Sequence, residues 1–279
     1  MRTKQYKNKN LASQQASSFK LSTRWLARLI VIFMLCFASV LSVLAQSTIR
    51  FNDPNPILEV GPALSQGARY RFRNVAPGTD ALVTVTTINT ATLVSIDSVL
   101  GFADRFEPTI RLTGANQQGY VRFDFQIVEA GGTTPKIVPA VLISAQDIDG
   151  NSGTNTIREW VEFVNTGSVS VGSPTLLVPG TPVAGGIRYN QVSSNNVQPG
   201  IGTNDQYEMY TTVLGNNHTF TIIGGNITGS AGCTGGSCSR QNSYSFDPAS
   251  SNQPPPNADV SITKTGPASV NLGDTVTYN

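Results

Sequence analysis

Residues 119–128 read GYVRFDFQIV, and their alternation decides the fold class. Val121, Phe123, Phe125 and Ile127 fall on one side, Tyr120, Arg122, Asp124 and Gln126 on the other. A period of two is the spacing of a strand with one face in a core and one in water. Arg69-Tyr70-Arg71-Phe72-Arg73 repeats it, with Tyr70 and Phe72 as the inward pair. Further strands are expected at residues 81–89, 92–98, 137–146, 157–164, 208–214 and 218–223. The last two are joined by an Asn216-Asn217 turn, since Asn tolerates positive φ. No window shows the apolar period of a helix. Short strands separated by turn residues predict an all-β domain, a β-sandwich or jelly roll, over residues 46–246. Residues 167–204 are rich in Gly, Pro, Ser and Asn and predict a long surface excursion with one or two edge strands.

Upstream of this domain the chain reads as an export signal. Arg2, Lys4, Lys7, Lys9, Lys20, Arg24 and Arg28 precede the apolar run LIVIFMLCFASVLSVL of residues 29–44, with no acidic residue among them. Val43 and Ala45 supply the small side chains that a signal peptidase reads, so residues 1–45 form a signal peptide cut before Gln46. The run is short for a membrane span, and an uncleaved anchor is the alternative. Leu35 stands where a lipoprotein needs a small residue, which removes Cys36 as a lipidation site. The whole chain has 19 Lys and Arg against 17 Asp and Glu; without the seven basic residues of the signal, 12 face 17, a net of about −5. Such a surface argues against nucleic acid and anionic membrane as partners, because both select clustered Lys and Arg. Membrane insertion of the mature domain is not expected.

Cys233 and Cys238, in GCTGGSCS, are the cysteines left after cleavage. In an exported protein an isolated pair reads as a disulfide. Metal binding is the rival, but C-x4-C with one distant His cannot complete a four-ligand site. Residues 247–258, DPASSNQPPPNA, read as an extended Pro-rich linker. Residues 259–279 then read DVSITKTGPASVNLGDTVTYN: Val260 and Ile262 alternate with Ser261 and Thr263, Gly266-Pro267 breaks the strand, and Val270, Leu272, Val276 and Tyr278 resume it around Gly273-Asp274. This segment resembles the opening of the bacterial surface repeat known as domain of unknown function 11, through the pattern D-hydrophobic-S-hydrophobic-T-K, then P, then G-D-x-V-x-Y. The resemblance implies an immunoglobulin-like β-sandwich repeat, here a truncated start, on the secreted or cell-surface protein of a bacterium.

Sites for chemistry are few. His218 is the single histidine and begins an expected strand on the face of Phe220 and Ile222. Gly235-Gly236-Ser237-Cys238-Ser239 lacks the final Gly of a nucleophile elbow. No nucleotide-binding glycine motif occurs, and the chain is not expected to be an enzyme. Asn217-His218-Thr219 and Asn226-Ile227-Thr228 match the glycosylation pattern by chance in Asn- and Thr-rich sequence.

One constellation points to a metal. Asp147, Asp149 and Asn151 place side-chain oxygens at alternate positions of a D-x-D-G-N loop, and Glu159 shares a strand face with Ile157, Val161 and Phe163. A carboxylate on a core face needs a partner or a metal, and these four residues are candidate ligands of a structural calcium ion. The alternative is an Asx turn with Glu159 at the sheet rim. Two functional readings follow: an exported bacterial cell-surface structural or adhesive repeat protein without catalysis, or a carbohydrate-binding β-sandwich displayed on a repeat stalk. The surface ligand, protein or glycan, is not named by the sequence. The second reading needs exposed rings, for which Trp160 and Tyr120 are the candidates, although a lone Trp on a strand is more often packed against a loop or second layer than presented to a ligand.

Overall fold

A computed structural model describes residues 48–98, 101–112, 114–151, 157–198, 200–213, 218–229 and 239–248. The expected signal peptide (residues 1–45), the expected Asn216-Asn217 turn, the Cys233–Cys238 pair and residues 249–279 lie outside the described residues.

β6 (Gln118–Glu129) lies in the middle of the largest sheet. Val121 and Phe123 are fully buried and Phe125 and Ile127 are 1% exposed, while the alternate residues are half-buried. On one side β6 pairs with β3 (Thr79–Asn89), on the other with β13 (Thr219–Thr228), where Phe125 lies opposite Phe220. Outward from β3 come β2 (Arg69–Ala76) and β1 (Ile57–Val60); outward from β13 come β8 (Ile157–Val164), β11 (Ile187–Gln191) and β10 (Leu177–Pro179). All pairs are antiparallel. A second sheet has the order β15 (Ser243–Pro248), β7 (Val141–Gln146), β12 (Met209–Val213), β9 (Val169–Val171). A third joins β14 (Ser239–Gln241), β5 (Thr109–Arg111) and β4 (Thr92–Ser95). Among the described residues there is no α-helix, only a 3-10 turn at Asp205–Tyr207. The fold is all-β, as the alternation predicts.

The two larger sheets share one core. Phe125 stacks on Phe220 with ring centroids 4.7 Å apart, and both rings lie 6.0 Å from Phe246 of the second sheet. Phe106, outside any strand, sits among Phe51, Phe72, Phe123, Phe125 and Tyr244. Edge-to-face ring pairs of this kind add to the stabilisation from burial alone.

The structure departs from the sequence reading at several strands. β7 begins at Val141 and not at residue 137; Pro139 has no N–H to give a ladder, and Ile137 is 64% exposed. β4 stops at Ser95, short of residue 98. β13 runs to Thr228, well past Ile223, through two glycines that look like a break. The span 167–204 holds three strands, and β11 is interior, between β8 and β10. β15 extends to Pro248, so Asp247 and Pro248 belong to a strand and not to the linker.

The glycines in β13 are there for their neighbours. A Cβ on Gly224 would come 2.7 Å from the Tyr244 hydroxyl, and one on Gly225 would overlap the ring of Trp160, its cross-strand partner. Gly225→Ala is therefore expected to cost about 1–3 kcal/mol by overpacking, read as a lowered urea midpoint; an unchanged midpoint would mean that Trp160 moves aside freely.

Both ends of the described domain meet at one end of the sandwich. Along β7 and β15 the register runs from Val141–Pro248 to Gln146–Ser243. The exit from β15 thus lies at the Val141 end, away from the Asp147 turn. Ile49 donates its N–H to the Phe246 carbonyl (3.3 Å), and Arg50 to that of Val75 near the end of β2 (2.7 Å). The opposite end carries the turn after β3, the entry to β6, the exit from β13 and the Asp147 turn.

Candidate functional site

The Asp147 turn leaves β7 and returns into β8, which brings Asp149 beside Glu159. Glu159 donates its backbone N–H to the Asp149 carbonyl at 2.9 Å. Both side chains are buried, Asp149 completely and Glu159 at 1% exposure. Their charge is answered by Arg240 of β14, whose Nε donates to Glu159 Oε1 at 2.6 Å and whose Nη2 pairs with Asp149 Oδ1. Asp149 Oδ2 accepts the Gln198 backbone N–H at 2.7 Å. Asn151 Oδ1 accepts the N–H of Ile157 at 2.8 Å and so closes the turn. Asp147 has φ +60°, and its buried Oδ1 has no partner among the described residues. Gly150 permits close packing: a Cβ there would lie 2.5 Å from the Ser194 carbonyl oxygen.

The structure thus brings together Asp147, Asp149 and Glu159 and gives Asn151 to the backbone. Among the described residues no group of three His, Cys, Asp or Glu side chains is arranged to hold a metal ion. Calcium here is a proposal that has to accommodate Arg240. Its measure is the melting temperature in millimolar calcium against chelator: a rise is the outcome the proposal requires, and equal values leave Arg240 as the cation of the cluster.

Burial sets the protonation of this cluster. It pushes Asp147 up to about 8, with help from the negative charge of Glu159 and Asp149. It pushes Asp149 up to about 7, with Glu159 adding and Arg240 opposing. Glu159 is raised by burial in the same way, against the pull of Arg240. Elsewhere burial carries Asp97 to about 7. A carboxyl raised in the folded state binds protons more tightly folded than unfolded. Its stabilising contribution is complete below the ordinary carboxyl range and is lost as pH rises through about 7 to 8. Asp53 is lowered, chiefly by its hydrogen bond from Arg73, and its contribution is lost in the other direction, as pH falls through the carboxyl range. The melting temperature is expected to peak in mild acid, at about pH 5, and to decline toward about pH 8. A melting temperature that climbs steadily over that interval contradicts this.

No protein-family model matches the chain, and no curated protein matches it. Among solved structures it is similar to the N-terminal domain of the Streptococcus gordonii adhesin Sgo0707, at 12% identity and a TM-score of 0.38, over 71% of this chain and 50% of that one. It is also similar to glucan binding protein C of Streptococcus mutans, at 12% identity and a TM-score of 0.36, over 69% of this chain and 63% of that one. The chain spans half to somewhat under two thirds of the length of those structures.

The candidate sugar platform on Trp160 needs correction. Trp160 is fully buried. Arg188 lies 3.6 Å above its ring, and Tyr120 meets it edge-on at 5.7 Å. The adjacent Glu162 is fully buried and takes the backbone N–H groups of Val183 (2.7 Å), Ala184 (3.0 Å) and Gly186 (2.9 Å), which folds the β10–β11 connection against β8. Trp160 is a packing residue because this excursion covers the outer face. His218 is half-buried at the entry to β13, and its carbonyl accepts the N–H of Ile127.

Sequence reasoning missed Arg240. A signal was available: Tyr244 and Phe246 alternate with Ser243 and Ser245. Recognising that strand would have placed a lone arginine just before a core element.

Proposed function

We propose that this chain is an exported bacterial cell-surface protein, structural or adhesive and non-catalytic, whose β domain offers one end to a surface ligand while its stalk leaves from the other. The observation that carries this reading is the pairing of Ile49 with Phe246. Entry and exit lie side by side, at the end of the sandwich opposite the loops around the Asp147 turn. The signal-like start and the resemblance of residues 259–279 to a surface repeat support export and a stalk. The best-developed charged cluster is buried and committed to Arg240, which favours a structural over a catalytic role for it. The test is adherence. The exported chain, coated on beads, is presented to a panel of glycans and surface proteins, with substitutions of exposed residues at each end of the sandwich. Retention that is lost only with loop-end substitutions supports the proposal; retention nowhere, or equal loss from both ends, overturns it.

A further inference from the structure

At the loop end, Thr90, Ala91, Thr92, Arg111 and Gln117 line an open cleft of about 240 Å³. Thr90 and Ala91 form the turn between β3 and β4, Thr92 and Arg111 are cross-strand partners, and Gln117 precedes β6. Among the described residues that line it there is no acidic side chain. Among the described residues the buried Nε–H of Arg111 has no partner, and no carboxylate pairs with its guanidinium. That Nε–H is closed to solvent, whereas the terminal nitrogens of the half-buried side chain are not, and it is these that a ligand in the open cleft meets. Gln117 spends its Oε1 on the N–H of Gly114 at 2.9 Å, so its amide N–H groups remain as donors. The Thr92 hydroxyl both donates and accepts, while the Thr90 hydroxyl donates to Asn89 Oδ1 at 3.0 Å and is left to accept.

Backbone strain marks the same place independently. Thr90 has φ +48°, and a β-branched residue in the left-handed region is a genuine outlier. It is held there by close packing, because a Cβ on Gly119 would run into the Thr90 carbonyl. Strain of this kind persists where the surrounding structure over-determines it, commonly at ligand sites.

We infer that this cleft binds a carboxylate-bearing sugar, of the hexuronic or sialic acid class. The inference deepens the adhesive reading and rests on the loop end being the presenting end. Arg111 takes the carboxylate through its planar fork, which matches two oxygens at once. Thr90, Thr92 and the Gln117 amide take ring hydroxyls, whose mixed donor and acceptor character they match. An acidic peptide fits less well, since among the described lining residues Ala91 alone has an apolar side chain.

The experiment is a titration of the full exported chain, followed by amide and arginine side-chain NMR. The probes are D-glucuronate, N-acetylneuraminate, neutral D-glucose and a short polyaspartate peptide. One or both acidic sugars should shift the signals of Thr90, Thr92, Arg111 and Gln117, with glucose and the peptide much weaker. Which acidic sugar binds tighter assigns the class. Arg111→Gln should weaken binding by about ten- to hundredfold, and Arg111→Lys should recover only part of it. Thr92→Val, on an exposed side chain, gives a second variant that leaves the core untouched and should lose severalfold. Equal binding of glucose and glucuronate, preference for the peptide, or full binding by Arg111→Gln overturns the inference. If beads coated with the chain still adhere when Arg111 is replaced, the cleft is refuted while the adhesive reading stands.

Discussion

Replacing Arg240 by glutamine is expected to lower the stability of the domain by about 3–5 kcal/mol at neutral pH. Its guanidinium is the positive charge that Asp149 and Glu159 both contact, and neither carboxylate reaches water. Removing one partner of a buried ionic group leaves the other charge desolvated and unanswered, which costs more than the intact pair contributes. Arg240→Lys keeps the charge but not the fork that spans two carboxylates, so an intermediate loss is expected. The pH dependence separates this from simple loss of packing. The carboxyls of Asp149 and Glu159 are already raised by burial. In the Gln variant they take up protons more readily still, so the penalty should shrink as the solution is acidified toward about pH 5. Chemical denaturation at neutral and mildly acidic pH measures both. A loss under about 1 kcal/mol at neutral pH would falsify the assignment of Arg240 as the partner on which the cluster depends.

Phe106→Ala is the second large effect, with an expected loss of about 3–5 kcal/mol. Phe106 is fully buried, and its backbone exchanges hydrogen bonds with Tyr244 at 3.1 and 3.0 Å. Its ring touches aromatic rings from both larger sheets, so truncation opens a cavity that neither sheet can close without moving the other. The next residue makes collapse harder still. Glu107 is fully buried and fixed by the N–H of Phe102, the Ser243 hydroxyl (2.9 Å) and the Gln241 amide (2.8 Å). Phe106→Leu should recover much of the loss, since a branched aliphatic fills most of the volume. Calorimetry of the chain reads both variants, and an alanine variant that melts with the parent chain shows that the space collapses.

Which parts were legible in the sequence follows from how much each residue's surroundings are local. β6 shows its burial in its alternation, and β8 shows its core face, because one face of each looks into the core along its whole length, although the other face of β8 is covered too at Trp160 and Glu162. Glu159 was identifiable as a buried carboxylate for the same reason. Its partner was not, since Arg240 lies 81 residues further along, in a strand of three residues that has no period to detect. β1 was invisible for the opposite reason: Ile57, Leu58 and Val60 are all exposed, so nothing alternates. Gly224-Gly225 reads as a break to any local rule, and only Tyr244 and Trp160, packed against them from elsewhere in the chain, explain why β13 continues. The burial of Trp160 is what a lone Trp on a strand favours, but the segment folded against its outer face was not legible, because it reads as surface excursion. Phe106 carries no strand signal at all; its position is set by the two sheets it separates.

The side-by-side arrangement of Ile49 and Phe246 has a mechanical consequence. A pull applied beyond Pro248, with the loop end held by something outside the molecule, enters along the axis of β15. Six residues of β15, Ser243 to Pro248, stand in register with six of β7, Gln146 to Val141. Antiparallel hydrogen bonds lie perpendicular to their strands, so such a load shears the whole row together and does not open it one bond at a time. Just upstream, Arg240 fastens the far end of the same segment to Asp149 and Glu159. The last strand of the sandwich is thereby built as a tether, riveted at its tip and loaded along its length.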